Sequence, residues 1–124
     1  MPDDASMLVA CLCARWCNLC DEYRAVFDAA RQTRDARVLQ FSRVDIEDDD
    51  AIVGPVEVDD FPTLLIANAQ APLFFGPLTP QPATLQRLLQ SAHAGRLAPL
   101  VDQRTVDLVA RIRAAADRLG GPRG

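Results

Sequence analysis

The spacing of apolar residues along the chain changes from one region to the next, and these changes predict its elements. An unbroken apolar run from Met7 to Cys13 is typical of a strand buried on both faces. A second strand is expected from Arg37 to Asp45. Between them, from Cys17 onward, one helical face carries Leu19, Tyr23, Val26, Phe27 and Ala30. A strand, a helix and a strand of these lengths predict a parallel pair with a crossover helix.

The second half of the chain predicts an antiparallel pair of strands and then two helices. The strands are expected from Phe61 to Ile66 and from Pro72 to Phe75, with a turn at residues 68–70. Thr79 is expected to cap a helix that ends at Gly95, and its apolar face carries Leu85, Leu88, Leu89 and Ala92. A last helix is expected from Val101 to Leu119.

A short acidic segment separates the two halves. Residues 47–50 are all acidic and are expected to form a solvated loop or the start of a helix. Residues 51–54 allow at most one helical turn, because Gly54 and Pro55 end it.

The composition of the chain limits the number of domains and the kinds of partner that can be expected. With 124 residues, of which 49% are hydrophobic, the chain is expected to form one core. No segment is long and apolar enough for a membrane helix, and the acidic start of the chain is unlike a signal peptide, so we expect a cytoplasmic protein. The net charge is −4, all thirteen basic residues are Arg, and no basic stripe is present. Nucleic acid and membrane are therefore not expected partners.

Four cysteines lie within ten positions, at Cys11, Cys13, Cys17 and Cys20. Disulfides that stabilise a small domain usually connect distant segments, so this cluster is either chemical or incidental and does not hold the domain together. Cys17 and Cys20 are two residues apart on the first turn of a predicted helix, where they can close a small disulfide ring. Unpaired N–H groups and the helix dipole stabilise a thiolate at this position. The pair therefore predicts thiol-disulfide exchange.

Several segments together resemble the thioredoxin family. Trp16-Cys17-Asn18-Leu19-Cys20 is similar to the family's Trp-Cys-Gly-Pro-Cys site. Residues 44–46 resemble the end of the family's next strand, and residues 61–64 and 75–79 resemble its Ile-Pro-Thr-Leu and Val-Gly-Ala-Leu-Ser segments, in the same order. The resemblance extends over residues 7–94.

The resemblance implies an α/β thioredoxin fold, with a central mixed four-stranded sheet flanked by helices. The elements predicted from this sequence do not include the family's N-terminal strand and helix, and they include an extra C-terminal helix. We therefore expect a thioredoxin-like domain at residues 1–98 and a helical extension at residues 99–124 that packs on it. Our hypothesis is that this helix covers apolar surface left open by the missing unit. The alternative is a dimer or partner interface.

The resemblance also implies a mechanism. Cys17 would attack a substrate disulfide, and Cys20 would resolve the mixed disulfide. Pro62 would be cis and lie opposite the dithiol, although it could instead simply begin an edge strand. The residues expected to contact substrate are Trp16, Phe61, Pro62 and Gly76; the alternative for Trp16 is an ordinary core position.

The chain departs from the family pattern near the dithiol. Cys11 stands where the family has a buried Asp that moves protons, and Arg43 stands where it has a Lys. Cys11 is either a packed thiol or a third redox thiol that exchanges with Cys20. Arg15 and Asp60 would bring opposite charges to the site.

The function expected from these features is a protein-disulfide oxidoreductase without a cofactor. Its partners would be protein disulfides and a thiol reductant or reductase, and the chain would be a monomer or a dimer. One alternative is a thioredoxin-like binding, chaperone or redox-sensing module with little turnover. A site in which all four cysteines bind zinc or an iron–sulfur cluster is a further alternative, although their spacing suits it poorly. No metal is expected.

Overall fold

A computed structural model describes residues 7–14, 18–32, 38–54, 56, 63–68, 71–77 and 82–115, and it describes their side chains except at 18–21, 30–32, 38–41 and 82. In chain order the elements are β1 (Met7–Cys13), α1 (Asn18–Gln32), β2 (Val38–Asp45), α2 (Asp50–Val53), β3 (Thr63–Ala67), β4 (Pro72–Pro77), α3 (Pro82–His93) and α4 (Gln103–Ala114). The predicted order of strands and helices is confirmed over these residues.

The strands form one mixed sheet in the order β2-β1-β3-β4. β1 is parallel to β2 and antiparallel to β3, and β4 is antiparallel to β3. Because parallel neighbours need a crossover connection, α1 lies between β1 and β2 in the sequence. β1 occupies the interior of the sheet and is buried along nearly all of its length, as its unbroken apolar sequence predicts.

Helices on both faces of the sheet divide the core into two layers. Alternate side chains of β1 enter opposite layers, following the period of two of a strand. The layer that involves α1 and α3 includes Met7, Val9, Cys11, Tyr23, Phe27, Leu85 and Leu89. The layer that involves α2 and α4 includes Leu8, Ala10, Leu12, Ile52, Val53, Leu108 and Ile112.

The fourth strand is longer than its sequence predicts. It was expected to end at Phe75, but Gly76 and Pro77 continue it by pairing with Leu64 and Thr63. Glycine and proline are uncommon in the interior of strands, so the sequence pattern predicts the end of β4 two residues too early. The strand accommodates Pro77 because β4 lies at the edge of the sheet.

The last helix begins later than predicted. Val101 lies before it and is 91% exposed. The helix begins after Asp102, whose carboxylate accepts a hydrogen bond from the Arg104 N–H as a helix cap does. The predicted end at Leu119 lies outside the described residues, and the division between residues 98 and 99 remains a prediction. The apolar face of α4 packs into the core through Leu108, Val109 and Ile112.

Arg111 connects α4 to α2. Its Nε donates to the Ile52 carbonyl oxygen at 2.6 Å, and its Nη2 donates to the Val53 carbonyl oxygen at 3.1 Å. These carbonyls lie at the end of α2, where a cation is favoured by the helix dipole. The guanidinium also lies against Gly54, where a Cβ atom would approach it to 2.9 Å at a φ of +60°. Gly54 therefore permits both the turn and the close approach.

Replacing Arg111 by methionine is expected to lower the free energy of unfolding by about 1–3 kcal/mol, because it removes two charge-assisted hydrogen bonds and retains an apolar side chain. Urea unfolding of the full chain measures this change. The matched control is Arg104→Met on the exposed side of the same helix, where the side chain is 64% exposed and pairs only weakly with Asp102. Equal losses in the two variants would show that Arg111 does not tie α4 to α2.

Candidate active site

One end of the sheet brings together the segments that flank the predicted dithiol. Strands β1, β2 and β4 end at this side of the sheet, and β3 begins there. The pairing of Leu12 with Thr63 and of Thr63 with Pro77 brings these strand ends together. We call this end, defined by Leu12, Cys13, Thr63 and Pro77, the site edge. The chain leaves β1 at the site edge, and α1 then begins at Asn18.

The structure places some of the predicted site residues and leaves others untested. Arg15, Trp16, Cys17, Asp60, Phe61 and Pro62 lie outside the described residues, so their roles and the cis geometry of Pro62 stay predictions. Cys20 lies in the first turn of α1. The unpaired N–H groups and the positive dipole end of a helix favour a thiolate in such a turn.

Gly76 lies in β4 near the site edge and pairs with Leu64. A Cβ atom at this position would lie 3.5 Å from Cζ of Phe74, an ordinary packing distance, and the backbone does not have a positive φ. Neither the packing nor the backbone conformation therefore requires glycine here. Its expected role in contacting substrate remains a prediction.

Cys11 and Cys13 lie side by side at the end of β1. Both side chains are on the same face of the strand, as the period of two predicts, and their Sγ atoms are 3.1 Å apart. No disulfide joins them. Cys11 is 1% exposed and belongs to the core, whereas Cys13 is half-buried. The pair thus has one sheltered thiol and one that solvent reaches.

Arg43 lies beside Cys11 in the register of the sheet. Its guanidinium is 3.6 Å from Asp28 of α1, and both side chains are more than two-fifths exposed. An ion pair with this exposure contributes at most about 1 kcal/mol to stability. Arg43 therefore links β2 to α1 at the surface, and its expected effect on the dithiol remains a prediction.

The acidic segment after β2 forms a turn that its own carboxylates stabilise. Asp45 Oδ1 accepts from the N–H groups of Glu47 and Asp48, and Asp49 Oδ2 accepts from the Asp45 N–H. The segment leads into α2, which begins at Asp50, so the expected loop and helix start are confirmed. These hydrogen bonds give Asp45 and Asp49 a structural role at the site edge.

A cleft of about 220 Å³ lies between β1, β2 and α1. The residues that line it are Cys11, Cys13, Ala14, Arg24, Arg43, Val44, Asp45 and Asp49. Two guanidinium groups and two carboxylates contribute opposite charges, so the cleft has no strong net charge. Its distinctive chemical feature is the pair of adjacent thiols.

Tyr23 brings a buried hydroxyl to the same core layer as Cys11. The side chain is fully buried, and its hydroxyl has no hydrogen-bond partner among the described residues. Burial raises the pKa of Tyr23 well above its ordinary value of 10.0, and electrostatic interaction with Cys11 and Cys13 raises it further. The hydroxyl consequently stays protonated at neutral pH and lies within electrostatic reach of both sulfurs.

Tyr23 is expected to make the fold sensitive to alkali. Its pKa is raised in the folded state, so its contribution to stability is complete below pH 10.0 and is lost as the pH rises toward the folded pKa. Relative to Tyr23→Phe, the free energy of unfolding of the natural chain should fall by about 1.4 kcal/mol per pH unit above pH 10.

Urea unfolding at several alkaline pH values measures this difference. Because the chain has a single tyrosine, phenolate absorbance reports on Tyr23 alone. The absorbance is expected to appear together with loss of structure. Phenolate formation in the folded chain at about pH 10, the ordinary tyrosine value, would contradict the account.

Sequence reasoning did not identify Tyr23 or Arg24 as neighbours of the cysteines. The sequence pattern places Tyr23 on the apolar face of the helix, and its observed burial agrees. Their proximity to Cys11 and Cys13 depends on how α1 packs over β1, which no local pattern specifies. The one available signal was that the chain's single tyrosine lies on a core-facing helix position.

The described residues contain no group of three or more His, Cys, Asp or Glu side chains that could hold a metal ion. This does not test a metal site built from all four cysteines, because Cys17 lies outside them and the Cys20 side chain is not described. Among the same residues, no helix has the length and apolar character needed to cross a membrane.

Comparison with known proteins identifies a family and solved structures that are similar to most of the chain. The sequence model of a family described as thioredoxin matches residues 2–77, which is more than half of the chain. No curated protein sequence matches the chain significantly.

Solved thioredoxin structures resemble the chain at low sequence identity. The germline-specific thioredoxin Deadhead of Drosophila melanogaster is 15% identical, with a TM-score of 0.61 over 72% of this chain and 83% of that chain. Malassezia sympodialis thioredoxin is 20% identical, with a TM-score of 0.61 over 72% and 79%. Mitochondrial thioredoxin 3 of Saccharomyces cerevisiae, in its oxidised form, is 19% identical, with a TM-score of 0.59 over 72% and 81%. These likenesses confirm the predicted thioredoxin fold.

Proposed function

The chain belongs to the thioredoxin family, and from this we propose that it is a thiol-disulfide oxidoreductase that reduces or exchanges protein disulfides through Cys17 and Cys20. The observation that carries the proposal is the position of Cys20 in the first turn of α1, immediately after the site edge. Cys17 directly precedes Asn18, the first described residue of that helix. A dithiol at a helix start can supply the thiolate that attacks a disulfide.

The proposed reaction has two steps. The Cys17 thiolate attacks one sulfur of a substrate disulfide, the substrate S–S bond breaks, and the released sulfur takes up a proton. Cys20 then loses its proton and attacks the Cys17 sulfur, which releases the second substrate thiol. The substrate has gained two electrons and two protons, and the chain holds a Cys17–Cys20 disulfide. A thiol reductant or reductase would return the chain to its dithiol state.

Substrate contacts belong to the same proposal. Thr63 begins the described part of β3 at the site edge and directly follows Phe61 and Pro62 in the sequence. An extended substrate segment would pair with the Phe61 backbone, as in strand addition. Trp16 and Gly76 would provide further contacts. A cytoplasmic location and the oligomeric state, monomer or dimer, stay predictions.

A binding or redox-sensing module with little turnover is the second candidate. The observation that favours it is the burial of Cys11, at 1% exposure, where the resemblance places a proton-transferring carboxylate. Proton transfer would then depend on water or on the thiol itself. Steady multiple turnover with a thiol reductant supports the enzyme, whereas a single stoichiometric oxidation supports the sensor.

Trapping the mixed disulfide tests the proposed roles. With a small protein that contains one disulfide as substrate, Cys20→Ser should accumulate a covalent adduct through Cys17, because the resolving thiol is absent. The matched control, Cys17→Ser, should form no such adduct. Trypsin cleavage after Arg15 and Arg24 places Cys17 on residues 16–24, separate from Cys11 and Cys13 on residues 1–15. An adduct found only on residues 1–15 would reject the assignment.

A further inference from the structure

The described structure contains a pair of thiols that the proposed reaction does not use. Cys11 and Cys13 have Sγ atoms 3.1 Å apart, about 1 Å more than the 2.05 Å of a disulfide bond. They lie on the same face at the end of β1, and both line the cleft beside α1. Contact between two thiols and access from a cleft are the two conditions that a second disulfide needs.

The backbone of β1 can accommodate such a bond. Residues two apart on a strand have Cα atoms about 6.6 Å apart, within the upper part of the range of about 4.4–6.8 Å seen for disulfides. Cys13 is the last residue of β1. A residue at the end of a strand can adjust its backbone more readily than one in the strand interior.

We propose that Cys11 and Cys13 form a second redox-active dithiol, which a small disulfide of the glutathione type oxidises to a Cys11–Cys13 disulfide. Cys13, the half-buried member, attacks one sulfur of glutathione disulfide and releases one glutathione thiol. Cys11 then attacks the Cys13 sulfur and releases the second thiol. Two cysteine thiols lose two electrons and two protons, and one glutathione disulfide gains them.

The unequal exposure of the two thiols assigns this order of attack. Only Cys13 is open enough to meet a disulfide from solution, because Cys11 is 1% exposed and packs in the core. Once Cys13 carries glutathione, Cys11 is already in contact with its sulfur. A bond near the limit of allowed geometry is readily reduced again, so the pair suits reversible oxidation.

The test uses the full-length chain with Cys17→Ser and Cys20→Ser together, so that the result does not depend on the proposed function. The protein is equilibrated in buffers of graded glutathione and glutathione disulfide, quenched with acid, alkylated and digested with trypsin. Cleavage after Arg15 leaves Cys11 and Cys13 on residues 1–15. As the buffer becomes more oxidising, this peptide should change from two alkyl groups to none, without retained glutathione.

Two matched variants in the same background separate the roles of the thiols. Adding Cys11→Ala, which suits an apolar buried position, should leave one stable glutathione on Cys13. Adding Cys13→Ala should leave Cys11 reduced, because the remaining thiol is buried. Circular dichroism and thermal unfolding establish that each variant is folded before it is used.

Three results would overturn the proposal in the folded protein. In the first, both thiols remain reduced and are therefore alkylated at every buffer ratio. In the second, glutathione stays attached to Cys13 although Cys11 is present to displace it. The third result is a loss of thiols that occurs only with a bound metal and is reversed by a chelator, which would indicate two metal ligands instead of a redox pair. Each of these leaves the trapping experiment on Cys17 unaffected.

Discussion

Replacing Cys17 by serine is expected to lower the rate of protein-disulfide reduction at least about 100-fold, to the background rate set by the assay's own reductant. A serine hydroxyl is not ionised at neutral pH and does not attack a disulfide. Cys20 alone should not replace it, because in the proposed mechanism it acts on the mixed disulfide that Cys17 forms. The assay measures loss of the disulfide in a small test protein, with a thiol reductant present in excess.

The control for this prediction is Cys13→Ser, which changes the half-buried thiol that lies nearest the end of β1. It should retain most of the activity, because neither proposed step uses Cys13. If the Cys17→Ser variant kept the rate of the natural chain while Cys13→Ser lost it, the nucleophile would have been misassigned. Similar unfolding curves for both variants exclude a general loss of structure.

Leu108→Ala is expected to lower the free energy of unfolding by about 2–5 kcal/mol. Leu108 is fully buried, and it packs with Leu8, Leu12 and Leu65 in the core layer between the sheet and α4. Truncation removes apolar contacts and leaves a cavity that a β-sheet cannot easily close. Since a domain of this size is stable by roughly 5–15 kcal/mol, the variant should lose a large part of its stability.

Val101→Ala is the matched control for Leu108. The side chain of Val101 is 91% exposed and precedes α4, so its truncation should change the free energy of unfolding by less than about 0.5 kcal/mol. Urea unfolding of both variants measures the difference. Equal effects would contradict the packing of α4 against the sheet.

The same measurement bears on the two hypotheses for the C-terminal helix. Leu108, Val109 and Ile112 are buried against the chain's own sheet, so these apolar side chains are not available to a second copy. We therefore propose that α4 covers the sheet within one chain. Sedimentation of Leu108→Ala and the natural chain at several concentrations separates this from a dimer interface, which would make the stability of the natural chain depend on its concentration.

The sequence predicted the fold well where the apolar pattern was long. The run of β1 predicted a buried strand, and the apolar faces of α1 and α3 predicted core-facing helices, because burial on one or both faces determines such patterns. The single mixed sheet was expected from the resemblance to the thioredoxin family. The errors lie at element ends. Val101 is apolar but lies outside α4, since Asp102 provides the cap, and β4 continues through Gly76 and Pro77 because β3 pairs with them.

The candidate site was less predictable than the fold. The Cys17 and Cys20 spacing is a local signal and was found directly, and the period of two correctly put Cys11 and Cys13 on the same face. The cleft beside them was not expected, because it depends on how α1 and the turn after β2 pack around β1. Local sequence patterns contain no information about that packing.

The most direct test of the central claim is the equilibrium between the natural chain and a glutathione redox buffer, read by mass spectrometry after alkylation and trypsin digestion, with Cys11→Ala in parallel. We expect residues 16–24 to show a reversible two-electron change from two alkylated thiols to a Cys17–Cys20 disulfide, retained when Cys11 is absent. If that peptide stayed reduced at every ratio, or formed only a covalent link to residues 1–15, the proposed oxidoreductase dithiol would be wrong.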